Sequence, residues 1–154
     1  MPVITLPLRA LSVNQITKVN YKQKRVHKST EAYAFRKAVN EYLDIHGDEL
    51  RLLAENFVDH KHCFIVDTTF YFPADDLLAK PRLKNEKRRL SNRVGDTDNY
   101  LKWTIDCIWD WIGVDDRFII DHTIKKRPSM ATGSIHADIQ MVELSSISEY
   151  SPFL

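Results

Sequence analysis

Two aspartates one residue apart, Asp96 and Asp98, open an amphipathic run, and a second pair, Asp115 and Asp116, follows it after Gly113. Lys102 stands between them, four residues after Asp98 and four before Asp106, so these three share one face of a helix. Each pair alone has an ordinary reading. An acid caps a helix N-terminus, and acids after a glycine make a solvated turn. Together they exceed that need, because a cap uses a single acid. If the strand after residue 116 folds back beside the helix start, Asp116 approaches Asp96 and Asp98. Three carboxylates so gathered repel one another unless a cation sits among them. Mg²⁺ or Mn²⁺ would relieve this, since both favour octahedral oxygen ligands completed by water and phosphate. A metal ion held this way lowers the pKa of bound water and stabilises charge on a phosphoryl group. Lys102 would add a cation near the scissile phosphate. Its plain alternative is an i,i+4 salt bridge to Asp98 or Asp106, worth about 0.2–0.5 kcal/mol. Residues 95–119 contain no His or Glu to act as a general base, so metal-activated water is the natural nucleophile.

The formal net charge is only +1, but the charges are segregated. Residues 9–28 hold Arg9, Lys18, Lys22, Lys24, Arg25 and Lys28 and no acid. Residues 80–93 hold Lys80, Arg82, Lys84, Lys87, Arg88, Arg89 and Arg93 against Glu86 alone. Two basic clusters with aromatic residues nearby suit contact with a phosphate backbone; a solvated basic loop is the plain reading of each. His60, His62 and Cys63 look like a fragment of a zinc site, but no second ligand pair at the usual spacing accompanies them. His27 and Ser29 lack any nucleophile context and read as loop and cap.

A chain of 154 residues, 44% hydrophobic with 4 Gly, is the size of one domain with a real core. No run reaches the roughly 18–20 apolar residues of a membrane span, and the N-terminus lacks the pattern of a signal peptide. Cys63 and Cys107 fit buried thiols in a reducing compartment, so a cytoplasmic location is expected. Residues 2–8 read as an edge strand, limited by Pro2 and Pro7, and residues 12–28 as a loop or frayed hairpin. Ser29 or Thr30 should cap a helix ending near Gly47, with Tyr33, Ala34, Ala38, Tyr42 and Leu43 inward. A shorter helix over 48–56 and a strong strand over 62–72 follow. Residues 74–94 form a long connection with a helical turn around 85–90. The central helix covers 98–112, with Leu101, Ile105, Ile108 and Ile112 as its buried stripe. Trp103, Trp109 and Trp111 flank that stripe, suggesting contact with another surface, and Gly113 serves as the C-cap. Strands 117–126 and 134–144 read as a hairpin turning at 128–133. The expected architecture is α/β (α+β), a single domain over 1–144 with a mixed sheet of about four strands packed with helices, and a flexible tail over 145–154.

The pattern Asp96-x-Asp98-Asn99-x-x-Lys102, followed by Asp106, Gly113 and Asp115-Asp116-x-x-Ile119, resembles the RusA-type Holliday-junction resolvases. Leu11-Ser12-Val13-Asn14 is similar to the Pro-Ser-x-Asn that begins the family's domain, so the resemblance spans about residues 3–143. Here Val94-Gly95 replace the basic residue and proline that commonly precede the first aspartate, and the 74–93 loop is longer and more basic. The resemblance implies a RusA-like fold, a homodimer, and a Mg²⁺-dependent endonuclease that nicks four-way DNA junctions symmetrically in recombination and repair. It assigns the catalytic and metal-binding acids to Asp96, Asp98 and Asp116, the essential lysine to Lys102, and a less defined role to Asp115. Small resolvases of this type act in the bacterial cytoplasm and are often carried by phages and prophages. Two rival readings are a branched-DNA-binding protein whose acids are caps and turns, and another Mg²⁺ enzyme with Asp-x-Asp such as a nucleotide-sugar transferase. The second would need a sugar-nucleotide domain that 154 residues do not accommodate.

Overall fold

In the computed structural model, which describes residues 3–154 with the side chain of Val13 excepted, the chain begins with β1 (Val3–Leu6) and a single helical turn, α1 (Val13–Ile16). The hairpin β2 (Thr17–Asn20) and β3 (Arg25–Lys28) follows, then helices α2 (Thr30–His46) and α3 (Asp48–Asn56). Next come β4 (His62–Pro73), the short turn α4 (Ala74–Leu77), and the two-residue strands β5 (Leu78–Ala79) and β6 (Arg89–Leu90). The last major elements are α5 (Asp98–Ile112), β7 (Ile119–Ser129) and β8 (Ser134–Glu143). Single 3₁₀ turns occupy Asp116–Phe118, Leu144–Ser146 and Ser151–Phe153. The first-strand expectation at Pro2 falls outside the described residues.

The main sheet has the order β1-β8-β4-β7. β8 runs antiparallel to both β1 and β4, while β7 runs parallel to β4. The sheet is therefore mixed, and the parallel pair is joined through α5, as parallel strands require a crossover. The expected hairpin of the last two strands is corrected here: β7 and β8 lie on opposite sides of β4. β4 pairs with β7 over 64–73 and with β8 over 62–71, which satisfies the backbone N–H and C=O groups on both of its edges. Period-two burial along one strand carries no information about which strands flank it.

The helices pack on the Phe64–Phe72 face. Trp109 of α5 meets Phe64 edge-on at 5.7 Å, and Tyr100 meets Phe72 at 4.9 Å, so α5 runs back along β4. The inward face of α2 is Ala32, Phe35, Val39 and Leu43. Tyr33 and Ala34 are exposed, which corrects the expected stripe by one position; Phe35 and Val39 supply more apolar area than the alanines. Ser29 caps α2 as expected, its hydroxyl accepting from the Ala32 amide at 3.1 Å. Gly113 ends α5 in the left-handed conformation at φ 72°.

The tryptophans also depart from expectation. Trp103 and Trp109 are core residues, and Trp111 donates its indole N–H to Asp44 Oδ1 at 2.9 Å. α5 is covered by the sheet on one side and α2 on the other, so its buried face is wider than a four-residue stripe. Residues 85–90 form no helical turn. Instead Asn85 adopts φ 75° and β6 pairs with β5, closing the loop as a small ribbon. Both cysteines are buried and free, and burial pushes the Cys107 thiol up to about 11. No helix among the described residues is long and apolar enough to cross a membrane.

Candidate functional site

The start of α5 carries no side-chain cap: Thr97 stands at the cap position, and the first turn closes by backbone bonds from Asn99 and Tyr100 to Asp96 and Thr97. Asp96 and Asp98 are both exposed, and among the described residues neither carboxylate has a hydrogen-bond or ion-pair partner. They are not the caps of the plain reading. The approach to them is clamped. The Gly95 amide donates to the Tyr100 hydroxyl at 3.2 Å, and Lys126 Nζ donates to the Gly95 carbonyl at 3.1 Å.

One turn further, about 6 Å along the axis, the Lys102 ammonium lies 2.9 Å from Asp106 Oδ1 and 3.4 Å from Asp116 Oδ2. The hydrogen bond to Asp106 pushes the Lys102 pKa above its usual range, opposed by partial desolvation and reinforced by Asp116, so the side chain is a cation at neutral pH. Asp115 plays a different part. Its Oδ1 accepts from the Arg117 amide at 2.9 Å and caps the turn that aims Asp116 at the lysine. Lys102 and Asp116 line both of two adjoining clefts of about 260 Å³ each, one continuing over Asp106, Asp110 and Asp115, the other over Leu101, Ile105, Ile120 and His122.

The structure thus joins Lys102, Asp106 and Asp116 directly and holds Asp115 in the same cleft. It leaves Asp96 and Asp98 apart at the helix start; among the described residues no three His, Cys, Asp or Glu side chains converge as a metal cage. The repulsion expected of Asp116 is answered by Lys102. The unpartnered all-oxygen pair Asp96 and Asp98 fits a hard divalent ion, which needs only one or two carboxylates when water and phosphate complete its shell.

The basic segments divide. In the 80–93 loop Arg88 is tied to Asp75 Oδ1 at 2.8 Å and to the Leu78 carbonyl at 2.9 Å, and Arg93 bonds the Asp75 carbonyl at 3.2 Å. These two hold the loop. Lys80, Arg82, Lys84, Lys87 and Arg89 are exposed, and their side chains have no acidic partner among the described residues. Lys80, Arg82, Arg89 and Arg93 line an open cavity of about 630 Å³. Lys22, Lys24 and Arg25 project from the β2–β3 hairpin.

Two residues beside the site were missed in the sequence. His122 Nε2 lies 3.0 Å from Thr68 Oγ1, and burial pulls the imidazole below its ordinary value, with Asp67 opposing. Lys126 forms half of the Gly95 clamp. Both sit at alternate positions of β7, so the strand's period of two would have placed them on the inner face once its orientation was known.

An α+β domain with free carboxylates at a helix start, a lysine one turn away and basic segments around them has the build of an enzyme that works on nucleic acid. A family model, endodeoxyribonuclease RusA, matches residues 11–140 of the 154, and the chain belongs to that family. The family comprises endodeoxyribonucleases that act on Holliday-junction DNA, and every acid and lysine of the site falls within the matched span. No curated protein matches the chain.

Proposed function

We propose that this protein is a Mg²⁺-dependent endonuclease, with Mn²⁺ as an alternative ion, that resolves four-way DNA junctions by paired symmetric nicks. The observation that carries it is the exposed, unpartnered pair Asp96 and Asp98 one helical turn from Lys102, in a chain of the RusA family. Asp96 and Asp98, joined by Asp116 once Lys102 lets it go, would hold the ion, which would supply an activated water and neutralise charge on the phosphate. The Gly95 clamp fixes Asp96. Lys102 turns from Asp116 to the incoming phosphate, which both stabilises the charge developing there and releases Asp116. Hydrolysis adds water to phosphorus and breaks one backbone P–O bond, leaving a phosphate monoester and a hydroxyl. The free cations Lys80, Arg82, Lys84, Lys87 and Arg89 hold the duplex arms.

Two nicks on opposing strands call for two sites related by a two-fold axis. With Trp103 and Trp109 buried, the helix has little to offer such an interface. β7 forms one edge of the sheet along Ile119–Ser129, and an uncovered edge strand is a template for pairing with a second copy. The test is to incubate wild type and Asp96→Asn with a synthetic four-way junction, with Mg²⁺ and with EDTA. Wild type should cut only with Mg²⁺, Asp96→Asn should bind but cut about 100-fold more slowly or worse, and light scattering should give twice the 18.0 kDa of one chain. A wild type that binds and never cuts, or an Asp96→Asn that cuts normally, overturns the nuclease reading; a monomer overturns the dimer.

A further inference from the structure

The β2–β3 hairpin contributes little to the core. All four residues of β3 are exposed, and so are Lys18 and Val19 of β2. Its pairing sets Val19 opposite Val26, while Lys18 faces His27 and Asn20 faces Arg25. Opposed residues in an antiparallel ribbon share a face and alternate along it. One face therefore carries Val19 with Val26, and Thr17 with Lys28 at its root, while the other carries Lys18, His27, Asn20 and Arg25. At the tip Tyr21 is 87% exposed, next to Lys22, Lys24 and Arg25, none of which has an acidic partner among the described residues. The tip is built rather than loose. Asn20 Oδ1 accepts from the amides of Lys22 and Gln23 at 3.1 and 3.2 Å, and Lys24 completes the turn at φ 50°.

The root is equally fixed, and it packs on the helix that carries Lys102. Ser29 is 1% exposed; its hydroxyl bonds the Gln15 carbonyl, and its amide donates to the Ile16 carbonyl at 2.7 Å. Lys28 Nζ sits 4.7 Å from the ring centre of Trp103, the residue after Lys102. The ribbon is thus an arm rooted on the helix that carries the lysine, and its four-residue strands reach about 13 Å from that root. Folding gains nothing from an aromatic ring held in water between cations. An uncovered base-pair face does gain from one, because stacking on an aromatic ring is indifferent to sequence. A four-way junction offers such faces at its branch point, where stacking is already interrupted and the unstacking cost of a wedge falls away.

We propose that the 17–28 hairpin is the branch-point reader of this nuclease. The Tyr21 ring stacks on an open base-pair face, and Lys22, Lys24 and Arg25 grip the phosphates on either side. This rests on the nuclease reading but is separable from it. The test measures binding in EDTA, by fluorescence anisotropy, to a four-way junction and to a straight duplex of equal length. Tyr21→Ala should bind the junction about tenfold more weakly with duplex binding and thermal midpoint unchanged, and Tyr21→Phe should restore the affinity. Lys22→Gln should instead weaken both DNAs and reduce the salt slope by about one unit. A 2-aminopurine placed at the branch point should be quenched by wild type and not by Tyr21→Ala. Unchanged junction affinity in Tyr21→Ala, or an equal loss on both DNAs, overturns the proposal even if wild type cuts with Mg²⁺. A chain that shows the Tyr21 effect without ever cutting overturns the nuclease reading alone.

Discussion

At the scale of single residues, the acids after Gly113 divide the labour. Adjacent aspartates look equivalent in a sequence, and nothing local says which one is spent on the backbone. The turn decides: Asp115 caps it through the Arg117 amide, and Asp116 is left facing Lys102. Asn substitutes well for Asp as a backbone cap but carries no charge. Asp115→Asn should therefore keep its single-turnover cleavage rate within about threefold of wild type, whereas Asp116→Asn should lose about 100-fold or more. Equal losses in the two variants would reassign the pair. Lys102 reads as a salt bridge from its spacing to Asp106, and that bridge exists; what the spacing could not show is the second carboxylate, fourteen residues away along the chain, that shares the same ammonium.

The elements explain why a basic run is a poor guide to a binding surface. Seven Lys or Arg in residues 80–93 look alike in the sequence, yet Arg88 and Arg93 serve the loop. An arginine fork satisfies several carbonyls at once, so in a segment with little apolar burial it becomes the cross-link. Arg88→Ala should make residues 78–90 more sensitive to limited proteolysis, with little change in the thermal midpoint because exposed pairs contribute only about 0–1 kcal/mol. Arg89→Ala should leave proteolysis unchanged and reduce the salt slope of junction binding by about one unit. The reverse pattern would exchange their roles. The helix stripes show the same limit. Alternation and caps located α2 and α5, but both faces of α5 are claimed, one by β4 and one by α2. Trp103 illustrates this, its indole N–H donating to the Ala32 carbonyl at 3.1 Å.

For the whole molecule, the parallel β4–β7 pair sets the distances within the site. α5 returns along β4, β7 begins after the turn at Asp116, and of its inner residues His122 lines the cleft beside Lys102 while Lys126 holds the Gly95 carbonyl ahead of the helix. His122 also couples the fold to pH. Its value lies below the ordinary 6.5 because it is buried, so unfolding exposes a group that binds protons more readily. The stability this contributes is present above about pH 6.5 and is lost as pH falls through the lowered folded value. Urea midpoints taken between pH 7.5 and pH 5 should fall on the acid side, and His122→Gln should flatten that fall. An unchanged slope would assign the acid sensitivity to other groups.

The sequence by itself determined the main helices and strands and the family: helix and strand periods, the Gly113 stop, and the pattern of Asp96-x-Asp98, Lys102 and Asp115-Asp116 are all local. The tertiary structure alone decided the neighbours. β8 lies between β1 and β4 instead of beside β7, Asp116 meets Lys102 while Asp96 and Asp98 stand free, and the 17–28 segment becomes a rooted arm. Periodicity records which face of an element is buried. Which other element buries it depends on contacts between residues far apart in the chain, and those leave no spacing to read.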